Sequence, residues 1–216
     1  MKARVWDLPT RLFHWGVVLL IGLSWWSAQY QFEPWHFWSG YALLFLLLFR
    51  LLWGLVGSST ARFAAFVRGP ADVIRYLRTG RWPLAGHSPL GALSVLAMLL
   101  ALILQVATGL IQIDSEDFVE GPLSPLVSFE LAEAAHEIHE ANFNILLALI
   151  GLHLAAILFY RLALGRRLVG PMVTGRAELE DGIQPMAPAP AWRAWACAAI
   201  AAALTLWIAA GAPPLT

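Results

Sequence analysis

Five stretches of this sequence, at about 12–29, 36–56, 88–112, 138–160 and 193–211, consist almost wholly of apolar residues. Hydrocarbon offers the backbone no hydrogen-bond partners, so a crossing segment must satisfy its N–H and C=O groups internally. About 20 residues of α-helix cover the roughly 30 Å apolar layer. The chain is therefore expected to be an all-α integral membrane protein. Composition agrees: 59% of the 216 residues are hydrophobic and 13% charged, against about 25% charged in a soluble domain. The first four runs are rich in Leu, Phe, Ile and Trp, whereas the fifth, ACAAIAAALTLWIAAG, is mostly alanine. Lys2, Arg4 and Arg11 give the first run the basic start of a signal peptide. No small-x-small cleavage site follows in GLSWWSAQYQFEPW, so it reads as a retained span.

Basic residues fix an orientation. Lys2, Arg4 and Arg11 precede the first span, and Arg62, Arg68, Arg75, Arg78 and Arg81 fill the connection from the second to the third. Arg166, Arg167, Arg176 and Arg193 lie between the fourth and fifth, while Arg50 and Arg161 sit near span ends facing that same side. The opposite loops, QYQFEP and IDSEDFVEGPLSPLVSFELAEAA, contain no Lys or Arg. The positive-inside rule then expects a cytoplasmic N-terminus, with a fifth span carrying the C-terminus to the periplasm. Residues 57–87 read as an inner-surface connection holding a short amphipathic helix, and 177–191 as a Pro/Ala linker. The expected organisation is a transmembrane region at 1–176, the linker at 177–191 and an additional helix within 192–216. The formal net charge is zero, which gives no support to nucleic-acid binding.

Histidine is costly inside a membrane span and is a functional candidate there by default. His14 lies in the inner half of span one, His36 opens span two at the outer face, and His139 opens span four there. His153 is fourteen residues beyond His139, about 21 Å of rise and about 40° short of four full turns. These two imidazoles share one face near opposite leaflets. His136 is about 100° away from His153 and reads as an interfacial bystander. His36 matches His139 in depth, and His14 roughly matches His153. Two cross-bundle histidine pairs are what two bis-histidine haems require. With one cysteine, Cys197, there is no C-x-x-C-H attachment, so any haem is held noncovalently. Gly40 lies four residues after His36, on the face where a side chain would obstruct a flat macrocycle. Arg50, fourteen after His36, points along that face at the inner level, where a haem propionate could neutralise it; a side chain snorkelling to the inner interface is the other reading. His87, in GHSPLG, reads as part of an interfacial turn. The HEIHE stretch lacks the five-residue H-E-x-x-H spacing of a zinc site.

With these residues in view, the sequence resembles the bacterial cytochrome b561 family, in the branch similar to the cytochrome b subunits of nickel-iron hydrogenases. The resemblance is carried by VWDLPTRLFHW, WHFWSGYALLFLLLFRLLWGLVG, GHSPLGALSVLAMLLALILQVATGL and HEIHEANFNILLALIGLHLAAILFY, which with their loops cover about 5–176. It implies a four-helix transmembrane haem-binding bundle, to which a fifth helix is added here. It further implies two b haems with axial pairs His14/His153 and His36/His139.

The expected function is electron relay across the bacterial inner membrane. By the resemblance, the quinone pool would stand at one end and a redox partner such as a c-type cytochrome or a hydrogenase at the other. Whether the chain is itself an oxidoreductase or an electron-transfer subunit stays open. The acidic outer loop (Asp114, Glu116, Asp117, Glu120, Glu130, Glu133) would suit a basic partner, although a solvated loop explains it equally. Two other readings stand beside this one: a haem-containing anchor whose partner does the catalysis, and a haem-free transporter using the histidines as a proton relay.

Overall fold

The computed structural model describes residues 1–80, 82–116 and 118–213. Arg81, Asp117 and the end of the 192–216 segment, which figured in the expectations above, lie outside the described residues. Strand β1 (Lys2–Arg4) leads into helix α1 (Leu8–Gln29), followed by α2 (Glu33–Val56), α3 (Phe63–Phe66) and α4 (Pro70–Thr79). After α5 (Pro89–Ile111) come the short strands β2 (Ile113–Asp114) and β3 (Val119–Glu120) and a 3-10 turn at Ser124–Leu126. Helix α6 (Phe129–Leu162), α7 (Val169–Thr174), β4 (Arg176–Glu178) and α8 (Ala191–Ala209) complete the order.

The fold class is the expected all-α membrane protein. Helices α2, α5, α6 and α8 are long and apolar enough to cross a membrane, so the chain is multi-pass. Helix α1 was expected as a fifth such span. Its 22 residues would reach about 33 Å, but with Arg11, His14 and Gln29 among them it is not one of the four helices apolar enough over their length to count as a span. Helix α6 starts at Phe129, nine residues before the expected span at 138. The stretch FELAEAAHE is built from strong helix formers, and the Ser128 hydroxyl accepts the Leu131 N–H at 3.3 Å to cap it.

The described chain divides into two compact units. The first comprises 1–15, 50–97 and 150–197; the second comprises 16–49, 98–149 and 198–216.

In the first unit β1 pairs antiparallel with β4, Lys2 opposite Glu178 and Arg4 opposite Arg176. Asp7 caps α1 by accepting the Thr10 N–H at 2.8 Å, and its second oxygen accepts the Trp53 indole N–H at 3.0 Å. Trp53 is 2% exposed. Pro70 starts the amphipathic α4 and Gly80, at φ 63°, ends it in the left-handed conformation that glycine tolerates. The α4 residue Tyr76 meets Tyr160 of α6 through their hydroxyls at 2.7 Å. Beyond β4 the segment toward α8 is pinned down: Met186 N–H donates to Arg4 O, and Ala187 and Ala189 N–H groups donate to the Ser59 and Ser58 hydroxyls.

In the second unit Gly16 packs against Leu46 so closely that a Cβ would lie 2.9 Å from its side chain. Ser24 and Ser39 join α1 to α2 through hydroxyls 2.7 Å apart. Asn142 of α6 donates to Ala101 O at 2.9 Å and to the Gln105 side-chain oxygen at 2.7 Å, tying α6 to α5.

Candidate functional site

The second unit brings His36 and His139 together. Their ring centroids are 6.2 Å apart with the planes 72° to each other. His36 stands on the first turn of α2, and its Nδ1 lies 3.0 Å from Ser24 O. His139 stands on α6 with Nδ1 2.9 Å from Gln105 O. A carbonyl oxygen only accepts, so in both rings Nδ1 carries the proton and Nε2 presents a free lone pair. Gln105 grips the same histidine a second time, donating its side-chain N–H to His139 O at 2.9 Å. The Thr108 hydroxyl adds a third neighbour, 3.3 Å from Nδ1. Gly109 is required here, because a Cβ would lie 2.9 Å from His139 Cε1. A Cβ on Gly40 would meet no protein atom within 4 Å. Packing within the chain does not ask for glycine there, which leaves that face of α2 open beside His36.

The first unit gathers a different set. His14 sets its ring edge-on to Trp15 at 5.0 Å and lies within Coulombic reach of His153. Its Nδ1 is shielded from solvent with no hydrogen-bond partner among the described residues. Arg50 is 4% exposed, with Phe63 at 4.8 Å and Phe13 and Phe66 at 5.9 Å from its guanidinium carbon. Its Nη1 likewise has no partner among the described residues. A buried guanidinium with an unmet N–H is costly and suits an anionic group.

His87, read from sequence as an interfacial turn residue, precedes α5 in a loop, but its ring packs on Trp6 at 4.6 Å and Phe66 at 4.9 Å. Burial first, and then the neighbouring Arg50, His153 and His14, push its imidazole down to about 3, so it is neutral at physiological pH. His136 stands apart from the histidine pairs, its Nε2 4.0 Å from an Asp114 carboxylate oxygen.

Helices of membrane-crossing length that carry facing imidazoles, with no group of three or more His, Cys, Asp or Glu gathered for a bare metal ion among the described residues, define a membrane protein suited to a two-ligand prosthetic group. A family model described as prokaryotic cytochrome b561 matches residues 5–175, and the chain belongs to that family. No curated protein and no solved structure matches it. Membership makes it a membrane haem b electron-transfer protein.

The residues fit the group. An imidazole nitrogen bonds a transition metal at about 2 Å and its ring centre stands about 1 Å further back, so imidazoles on opposite sides of one iron have centres about 6 Å apart. The 6.2 Å separation of the His36 and His139 rings is close to that spacing, and with each Nδ1 held by a carbonyl oxygen, Nε2 is the nitrogen each ring could offer. Arg50, with its unmet N–H, has the charge a propionate needs.

Proposed function

We propose that the chain holds two noncovalent b haems, one through His36 and His139 and one through His14 and His153, and relays electrons across the bacterial inner membrane. The 6.2 Å spacing of the His36 and His139 rings carries this reading. Bound haem supplies one-electron chemistry; the protein supplies four imidazoles and a low-dielectric setting. Arg50 neutralises a propionate, and Gly40 leaves α2 open to the macrocycle. Residues 1–176 form the haem-binding region, 177–191 the connection and 192–216 the additional helix. One end exchanges electrons with the quinone pool, as the family resemblance suggests, and the other with a protein such as a c-type cytochrome or a hydrogenase.

Purified protein is expected to give two haems per chain in a pyridine haemochrome assay, with low-spin bis-histidine spectra. One haem or fewer per fully loaded chain would falsify the reading.

The N-terminus is assigned to the cytoplasm and the C-terminus to the periplasm, because Lys and Arg avoid the loops on the other side. Five crossings, α1 included, follow from that assignment. A C-terminal alkaline phosphatase fusion is expected to be active and the matching cytoplasmic reporter silent; the reverse pattern would reject the fifth crossing.

A further inference from the structure

Helix α6 is the least covered of the four apolar helices: 6% of its most apolar window is buried within the protein, against 44% for α2. Near its C-terminal end, inside the first unit, lies an open cleft of about 450 Å³. Leu154, Ile157, Leu158 and Arg161 line it from α6. These positions are i, i+3, i+4 and i+7, one strip along the helix, with the guanidinium stem about 10 Å beyond Leu154. The rest of the lining is Arg167 with Leu168 and Val169, from the segment that leads into α7. Gly165, at φ 67°, turns the chain in the left-handed conformation that glycine tolerates, and the Arg166 N–H donates to Tyr160 O at 2.9 Å. That turn brings Arg167 to the same cleft as Arg161. None of His14, Arg50, His87 or His153 lines it, so the cleft is separate from the candidate haem residues.

Two guanidiniums in one cleft repel each other. The dipole of α6 favours Arg161 in its last turn, but Arg167 lies beyond the helix. Residues 141–177 contain no Asp or Glu. The ion pairs among the described residues, Arg75 with Asp72 and His136 with Asp114, include neither arginine. A protein helix docked here would cover the leucines but would need carboxylates at the level of the two arginines. A phospholipid brings an acyl chain and a phosphate at the required order of depth, and guanidinium binds phosphate through paired N–H groups.

We propose that this cleft binds an anionic phospholipid of the leaflet on the Lys- and Arg-rich side. Its phosphate lies between Arg161 and Arg167, and an acyl chain runs along Leu154, Ile157 and Leu158.

Native mass spectrometry of the purified full-length protein, mixed with equimolar phosphatidylglycerol and phosphatidylcholine of matched chains, tests this. In the singly lipidated species phosphatidylglycerol is expected to exceed phosphatidylcholine by about tenfold, the order set by two interfacial cations after screening. Arg161→Gln/Arg167→Gln should bring the ratio near one. Arg75→Gln/Arg78→Gln, which removes two positive charges from α4 instead, should keep it. If the first double variant does not fold, Arg167→Gln alone, in the loop, should still lower the ratio several-fold. Glycerol 3-phosphate, a phosphate without acyl chains, should leave the bound lipid in place at equal concentration. Equal binding of the two lipids by the wild type would overturn the proposal, as would a ratio that falls in the α4 variant and holds in the cleft variant. Displacement by glycerol 3-phosphate would make the cleft a free-phosphate site, and a dimer lost only in the cleft variant would make it a contact between two copies; either result overturns the lipid assignment.

Discussion

Replacing His139 with alanine is expected to cut the haem content from two per chain to one, while His136→Ala keeps both. Helix α6 runs without interruption from Phe129 to Leu162, so the angular argument applies to both residues. His139 lies about 40° from the bearing of His153, and His136 about 100° from it. Only His139 has its ring opposite His36, with Nδ1 bonded to Gln105 O and Nε2 free. His136 instead stands near Asp114. On the proposed assignment, the substitution removes one of the two imidazoles that would hold that haem and leaves His14 and His153 in place. Haem quantitation of the two single variants decides the point: a halved content in His136→Ala with full content in His139→Ala would reverse the ligand assignment.

A second large effect is expected at Trp53, this time on stability. The indole is 2% exposed, and a Cβ on Gly57 would lie 2.7 Å from its ring, so even the neighbouring backbone is shaped around it. Its N–H reaches the carboxylate that caps α1. Trp53→Ala removes a large packed side chain and should cost about 3–5 kcal/mol. Trp53→Phe keeps most of the packing but leaves the Asp7 oxygen without that donor, for about 1–3 kcal/mol. Denaturant titration of the detergent-solubilised protein should rank the three proteins in that order. An alanine variant as stable as the wild type would show that the cap and the packing around it are not coupled as described.

The apolar runs were legible because crossing a bilayer imposes one length and one composition, and α2, α5, α6 and α8 answer to both. The separation of His139 from His153 was legible because rise per residue is fixed and both lie on the unbroken helix α6. Less could be read of what holds those histidines. Ser24 O and Gln105 O are main-chain acceptors, which every residue possesses, and no side-chain pattern marks them. Gly109 sits in an unremarkable apolar run, and its role is visible only with the His139 ring against it. The start of α6 was placed too late because acidic residues in SFELAEAAHE suggested a loop, while the same residues are good helix formers outside the hydrocarbon. His87 packs on aromatic rings that arrive from distant parts of the chain, Trp6 and Phe66, so its surroundings could not be read from the residues beside it.

The pairing of β1 with β4 also sets a clock. Lys2 is made 176 residues before its partner Glu178, an interval of roughly 9–35 s at synthesis rates of about 5–20 residues per second. Throughout that interval the amino-terminal strand has no mate. Closure of this small sheet therefore comes only after the whole of α6 has been made.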